Sequence, residues 1–419
     1  MEATTTSLIP LNKIQEARVV LKEVIKPTPL QLNLSLSQKY GANIYLKRED
    51  LQVVRSFKIR GAYYKMSRLR AEEASKGIVC ASAGNHAQGV AMACAKLNIR
   101  GVIFMPTTTP KQKINRVEHF GEGLVEIRLF GDTFDDSDEK GMAYAAANDM
   151  PFIHPFDDED VIAGQGTVAP EILEEANFSV DYLIVSVGGA GLISGMASYF
   201  EVLSPQTKII AVEASGAPSL KAALDKGEVV QLKDIDGFAD GIATKRVGKI
   251  PLRICKATID DHILVPEGKM CATILSLYNE EAIVVEPACA STIAALDDIA
   301  DDIKGKNVVC VLSGGNNDIT RMEEIKERAM MYEGKKHYFI VRFPQRAGAL
   351  KEFLDLLGPN DDIARFEYTK KTNRDSGPAL IGIEIKDKED FQPLVDRMKE
   401  ANIDFQHLNR SPLLFEMLV

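Results

Sequence analysis

The sequence predicts a doubly wound α/β region followed by a small ferredoxin-like module. Three features point there: short apolar runs alternating with helical patterns, glycine-containing turns directly after several of those runs, and a change of pattern near residue 332. Continuous apolar runs suit parallel strands covered on both faces, whereas half-exposed strands alternate. Strands are expected at Ile44–Lys47, Ile78–Ala81, Val102–Met105, Val125–Leu129, Tyr182–Val187, Ile209–Glu213 and Val308–Leu312. Helical patterns occupy Ala87–Asn98, Gln112–Phe120, Gly166–Ala176, Gly195–Leu203 and Met270–Glu281. Such alternation builds a parallel sheet with helices on both faces, and ligands of these folds sit beyond the carboxyl ends of strands.

A charged helix, Ile319–Tyr332, is expected to close the first domain, residues 1–332, and residues 333–336 (Glu-Gly-Lys-Lys) read as a linker. The remainder, 337–419, reads as strand His337–Phe343, turn Pro344–Gly348, helix Ala349–Leu357, strands Ile363–Lys370 and Ala379–Lys386, helix Asp390–Ala401 and a last strand Leu413–Val419. This βαββαβ order is the split βαβ layout.

Composition narrows the function. Apolar residues at 45% and charged residues at 26% of 419 describe a globular protein of two or three domains. A net charge of −10 offers no basic stripe to nucleic acid or to an anionic membrane surface. No apolar run approaches the roughly 18 residues a spanning helix needs. The segment Met1–Pro10 has no basic cluster ahead of an apolar core, so no secretory signal is expected and the chain reads as cytoplasmic. The six cysteines form no C-x-x-C pair and read as free core thiols, and the six histidines lack metal-ligand spacing.

Four segments can carry chemistry. In Ser56-Phe57-Lys58-Ile59-Arg60-Gly61-Ala62, a lysine at a strand-to-helix turn could be desolvated and so offer a neutral amine for Schiff-base chemistry; a helix-start lysine with its head in water is the plainer reading. Ser82-Ala83-Gly84-Asn85-His86 opens a helix, where free N–H groups suit a carboxylate or phosphate, or simply form a cap. Gly188-Gly189-Ala190-Gly191-Leu192 lets the backbone approach a phosphate. With Gly195 and Glu213 it also imitates a dinucleotide fingerprint, off by one residue, so an NAD-binding oxidoreductase is a rival. Ser313-Gly314-Gly315-Asn316-Asn317 is either a tight turn or a partner for a heterocycle nitrogen.

Together and in this order, S-F-K-x-R-G-A, S-A-G-N-H, G-G-A-G-L and S-G-G-N resemble the serine/threonine dehydratase family of fold-type II pyridoxal-phosphate enzymes, over residues from about 10 to 330. The resemblance implies two α/β subdomains with pyridoxal 5'-phosphate between them. It implies Lys58 as Schiff-base lysine and mover of the Cα proton, Phe57 packed on the cofactor ring, and Asn85 bonded to the ring hydroxyl oxygen. Gly188, Gly189, Ala190, Gly191 and Leu192 would cradle the phosphate, Ser313 would meet the pyridine nitrogen, and Ser82, Ala83, Gly84, Asn85 and His86 would hold the substrate carboxylate. Glu286, in Val285-Glu286-Pro287-Ala288, matches a segment near the cofactor.

The implied reaction is deamination of L-threonine to 2-oxobutanoate and ammonia, the first step of isoleucine biosynthesis. A catabolic threonine/serine dehydratase and a catalytically silent amino-acid sensor are the alternatives. Where related racemases carry a second serine this chain has Ala83, which favours dehydration. Two positions depart from the family pattern: Ala190 replaces a glycine, and Cys289 stands where glycine is usual, close enough to shape the pocket. Residues 337–419 resemble an ACT-like regulatory domain. It implies an amino-acid effector at the Pro344–Leu350 turn (isoleucine, opposed by valine) and a homotetramer, the alternative being a dimerisation module that binds no ligand. Whether a cation lies near Glu213 is left open; a strand-end carboxylate in a turn network is the plainer expectation.

Overall fold

The computed structural model describes residues 8–369 and 375–418; the first part of the Met1–Pro10 segment, and the Lys370 and Val419 ends of two expected strands, lie outside them. The strands are β1 Leu30–Leu32, β2 Asn43–Arg48, β3 Ile78–Ala81, β4 Gly101–Met105, β5 Val125–Leu129, β6 Tyr182–Ser186, β7 Lys208–Ala214, β8 Asp261–Val265, β9 Asn307–Leu312, β10 Lys336–Pro344, β11 Asp362–Tyr368, β12 Ser376–Glu384 and β13 Asp404–His407. They form three sheets, ordered β1-β2-β9-β6-β7-β8, β3-β4-β5 and β11-β12-β10-β13.

In the first sheet β1 is antiparallel to β2 and every other pair is parallel. The second sheet is parallel throughout. Central strands β6 and β9 read as unbroken apolar runs because helices cover both faces; β6 is buried along its whole length. The two edge strands absent from the sequence reading, β1 and β8, are short or half-exposed. Their patterns therefore lack the continuous burial that marks a parallel core strand. One large core cluster packs helices against the first sheet and a second packs them against the smaller one.

The third sheet is antiparallel, with its own core of Phe339, Val341, Phe353, Ile381, Ile383 and Leu394. Its order matches the expected split βαβ layout, with one correction. The last strand is Asp404–His407, and the expected strand Leu413–Val419 is a helix, Pro412–Leu418. Proline suits the first turn of a helix, and Phe415 packs edge-on against Tyr338 at 5.5 Å. The true last strand, Asp-Phe-Gln-His, is too short and polar to register as a strand pattern.

The chain divides into two compact units, Met1–Asp318 and Ile319–Val419. The helix Met322–Tyr332, expected to close the first domain, thus groups with the second. Its Glu327 accepts a hydrogen bond from the Tyr338 hydroxyl of β10, which explains the grouping.

Candidate active site

The loops after β2, β3, β6 and β9 converge at the carboxyl ends of the two parallel sheets, around a cavity of about 860 Å³. Lys58, Ser82, Ala83, Gly84, Asn85, His86, Gly189 and Glu286 line it. Phe57, Gly188, Ala190, Gly191, Leu192 and Ser313 lie behind that lining. A β-carbon on Gly189 would lie 2.2 Å from the Phe156 ring, so that ring rests directly on the glycine turn.

Lys58 is the first residue of helix Lys58–Ser67, after a turn that bridges Ser56 to Gly314. Its ammonium donates to the Pro155 carbonyl at 3.0 Å and lies 5.1 Å from the Phe57 ring centroid. The side chain keeps some access to solvent through the cavity, yet the protein around it depletes the water that stabilises its charge. Burial pulls its pKa down to about 8, partly opposed by the Glu286 carboxylate. About one such amine in ten is therefore neutral at pH 7, against fewer than one in a thousand for an ordinary lysine.

Asn85 begins helix Asn85–Leu97 and donates to both oxygens of Glu286, at 2.8 and 2.9 Å. Burial, reinforced by Asp240, lifts the Glu286 pKa to about 7 against the pull of Asn85, Lys113 and Lys58. No side chain caps this helix, and Ser82 Oγ accepts from Gly84 N at 3.2 Å, which shapes the turn so that its remaining N–H groups border the cavity. His86 behaves differently from its neighbours. Its Nε2 lies 2.8 Å from the Ile153 carbonyl, which can only accept, so the proton is on Nε2 and Nδ1 is bare. Burial and the nearby Lys58 charge lower its pKa to about 3. The neutral ring thus has no free donor for a carboxylate, and within this turn the backbone N–H groups and the Ser82 hydroxyl are left to serve that anion.

The glycine turn after β6 leads into helix Gly191–Leu203, again without a side-chain cap, and all of its first turn is buried. The first N–H groups of a helix have no intrahelical acceptor, so a buried uncapped start implies an anion. Ala190 adopts φ 68°, ψ 12°, the left-handed conformation that a glycine would take without strain. β-Carbons at Gly188 and Gly191 would meet the Ile242 backbone at 2.9 Å and Gln165 Oε1 at 2.5 Å. Ser313, at the end of β9, lies 3.3 Å from Ser186 Oγ, and its carbonyl accepts from Phe57 N at 3.2 Å.

These residues fit pyridoxal phosphate. Side-chain atoms on the segments framing the cavity, Ser56 Oγ, His86 Nδ1, Gln88 Oε1 and Gln165 Oε1, are buried without a hydrogen-bond partner. Polar atoms in a finished core are rarely left so. One uncapped helix start suits a phosphate, the other a carboxylate, and a lysine with a lowered pKa accompanies them.

Arg60, in the same S-F-K-x-R-G-A segment, went unassigned by sequence reasoning. It is fully buried, bridging Glu49 and Glu171, while Lys47 donates to Glu171 at 2.7 Å. Burial would lower its pKa, but the two carboxylates outweigh that and hold it above the usual range. The two cations and two anions tie β2, the Lys58 helix and helix Val168–Glu175 together. Pro155 and Phe156, also unassigned, carry no residue type that would betray a site in sequence.

Glu213 has no opening to a ribose or a cation. Its oxygens accept from Leu220 N at 2.7 Å, Lys221 N at 2.9 Å and the His262 ring at 2.7 Å. It caps helix Ser219–Lys226, which removes the ribose carboxylate of the dinucleotide rival. Among the described residues no cluster of three or more His, Cys, Asp or Glu could hold a metal ion. Cys289 is fully buried directly behind the cavity-lining Glu286, its N–H donating to the Glu286 carbonyl at 3.0 Å, and burial holds its thiol pKa well above the usual value. All six cysteines are free and buried. No helix among the described residues is long and apolar enough to cross a membrane.

Comparison with known proteins agrees with this geometry. The pattern of the pyridoxal-phosphate dependent enzyme family matches residues 21–314, and that of the C-terminal regulatory domain of threonine dehydratase matches residues 327–418. The biosynthetic L-threonine dehydratase of Halalkalibacterium halodurans is 56% identical over 98% of this chain and 99% of its own length. That of Bacillus subtilis is 56% identical over 99% of this chain and 98% of its own. The processed form of threonine deaminase isoform 2 from Solanum lycopersicum superposes with a TM-score of 0.72 at 38% identity, over 77% of this chain and 95% of that one. The chain belongs to the pyridoxal-phosphate dependent enzyme family, in the branch that carries the regulatory domain of threonine dehydratase behind the catalytic fold.

Proposed function

We propose that the chain deaminates L-threonine to 2-oxobutanoate and ammonia, the first step of isoleucine biosynthesis. One observation carries this reading: the Lys58 ammonium lies in a cavity bordered by the Ser82–Asn85 helix start, with the buried glycine-turn helix start close behind it. The substrate carboxylate and the cofactor phosphate are the two anions such a pair would hold.

Lys58 would bind pyridoxal phosphate, with Phe57 against its ring, Asn85 at the ring oxygen, the Gly188–Leu192 backbone at the phosphate and Ser313 at the ring nitrogen. When bound, the cofactor supplies an electron sink for the bond broken at Cα. The N–H groups of the Ser82–Asn85 turn would orient the carboxylate, leaving the Cα proton facing Lys58. At a pKa of about 8 the Lys58 amine is basic enough to take that proton and exists neutral in useful amount. The proton that Lys58 takes from Cα would pass to the departing β-hydroxyl, which leaves as water, and a second water hydrolyses the imine tautomer of the resulting enamine to 2-oxobutanoate and ammonia. Ser313, a hydroxyl, cannot hold a ring nitrogen protonated as a carboxylate would, which favours elimination over transamination. Ala83 withholds the second hydroxyl that racemisation would use.

Regulation is assigned to residues 337–419. Gln345, in the turn after β10, has both side-chain amide atoms buried without a partner. An amino-acid effector there, isoleucine with valine opposing it, is the natural complement, and a homotetramer would pair these domains. Coupling of this kind is about 1–3 kcal/mol, or roughly 5–150-fold in affinity. The test is 2-oxobutanoate formation from threonine against pyruvate from serine, at sub-saturating substrate, with and without isoleucine. Threonine turnover that vanishes in Lys58→Ala and falls with isoleucine supports the reading. A rate unchanged across millimolar isoleucine removes the effector, and absence of 2-oxobutanoate removes the reaction.

A further inference from the structure

A row of polar groups on the cavity wall sets its own direction. The Val54 carbonyl oxygen can only accept, so the Asn316 amide atom 2.9 Å from it is the nitrogen. That nitrogen is also 2.7 Å from the Asn85 side chain, and therefore gives its second hydrogen to Asn85 Oδ1. Asn85 Nδ2 is thereby turned to the opposite side, where it donates to Glu286. An amide's two ends are nearly the same size, so packing alone cannot choose between them. Here one backbone carbonyl chooses. Its segment is rigid: Val54 is fully buried, Arg55 N donates to Gln52 O at 2.7 Å, and Gly315 N donates to Arg55 O at 2.9 Å.

We propose that Asn316 is a positioning residue for the reaction, holding the Asn85 amide so that a donor rather than an acceptor serves Glu286 and the cofactor's ring oxygen. It links the turn that bears Lys58, the start of helix Asn85–Leu97 and the loop after β9. The inference rests on the role given to Asn85 above. Asn316→Asp keeps the shape and removes both donors. The Val54 carbonyl would then face a carboxylate, Asn85 would turn its nitrogen toward position 316, and its oxygen would face Glu286.

The measurements are the pH titration of the visible cofactor band of the substrate-free holoenzyme, kcat and KM for threonine, and thermal melting. Asn316→Asp is expected to move the pH midpoint of the band and to lower kcat by about 10–100-fold, the usual cost of losing a group that orients a ligand. KM should change much less. Because Asn316 acts through Asn85, Asn85→Ala with Asn316→Asp should be no worse than Asn85→Ala alone. Asn316→Ser keeps one donor and should fall between wild type and Asn316→Asp; it carries the test if the aspartate variant does not fold. A lowered melting temperature with an unmoved pH midpoint, or losses that multiply in the double variant, would overturn the proposal. A band indifferent to Asn85→Ala removes the assignment of Asn85 itself, and this inference with it.

Discussion

At the scale of single residues, the site is a set of groups held away from their ordinary protonation or conformation. Glu286 holds a proton up to about pH 7 in the folded chain, against a usual value of 4.5. The unfolded chain releases that proton between those pH values, so this contribution to stability is full below about 4.5 and is lost as pH rises through about 7. Glu286→Gln should therefore gain on the wild type between pH 5 and pH 8, by on the order of 2–3 kcal/mol, in thermal melts of the cofactor-free protein. A constant difference between the two proteins would contradict the buried, protonated glutamate. Ala190 is the second such residue. Its left-handed backbone costs about 1–2 kcal/mol. Burial of its methyl group (roughly 0.8 kcal/mol) and the lower unfolded-state entropy of alanine relative to glycine (roughly 0.4–1) offset this. The departure from glycine is thus nearly neutral, whereas Ala190→Val adds a branched β-carbon to a conformation it rarely adopts. That variant should lose about 1–3 kcal/mol of stability and retain less cofactor after gel filtration.

At the scale of elements, two devices bring the helices into register around the cavity. Glycines allow close crossings: a β-carbon on Gly195 would lie 2.4 Å from the Ile162 carbonyl, and one on Gly164 2.5 Å from the Arg60 carbonyl. The helix that starts at the glycine turn and the helix that starts at Lys58 thereby both pack on Glu159–Gly166. The other device is the Arg60 network. Removing its guanidinium would strand Glu49 as a buried carboxylate and leave Glu171 with Lys47 as its remaining cation, at a cost of about 3–5 kcal/mol. Arg60→Met should show that loss in urea unfolding, and adding Glu49→Gln should recover much of it, with Glu171 kept to pair Lys47. Arg60→Lys should not rescue fully, since an ammonium lacks the fork that meets both carboxylates. Lys58→Ala, which removes no buried pair, should melt near the wild type.

At the scale of the whole molecule, every residue assigned to the reaction lies within Met1–Asp318, while the turn assigned to the effector lies within Ile319–Val419. A chain ended after Asp318 is expected to keep the visible cofactor band and threonine turnover while losing its response to isoleucine. Retained inhibition in that shortened chain would move the effector site into the catalytic unit. The boundary is informative in itself. A charged helix after an apolar strand looks, in sequence, like the last helix of the preceding α/β domain, and it is contacts with β10, such as those of Glu327 with Tyr338 and Lys336, that group Met322–Tyr332 with the second unit.

The sequence by itself determined the α/β class, the central parallel strands and the residues of the four loops, because each is written in contiguous residues: unbroken apolar runs for strands covered on both faces, and turn residues directly after them. Lys58, the Ser82–Asn85 turn, the Gly188–Leu192 turn and Ser313 were legible as candidates in that way, and their roles came from the family resemblance of the four segments taken in order. Tertiary structure alone decided which distant groups meet them. The lowered pKa of Lys58 depends on burial by segments far along the chain. The Asn316–Asn85–Glu286 row joins three such segments, and the Arg60 network three more. It also replaced the expected strand Leu413–Val419 by a helix, held Glu213 in the turn network that was its plainer reading, and decided against the His86 ring as a carboxylate donor. Local pattern records the local backbone state. Hydrogen-bond direction and desolvation here arise largely between residues far apart in the chain, 231 positions for Asn85 and Asn316 and 201 for Asn85 and Glu286, and no local pattern contains both partners.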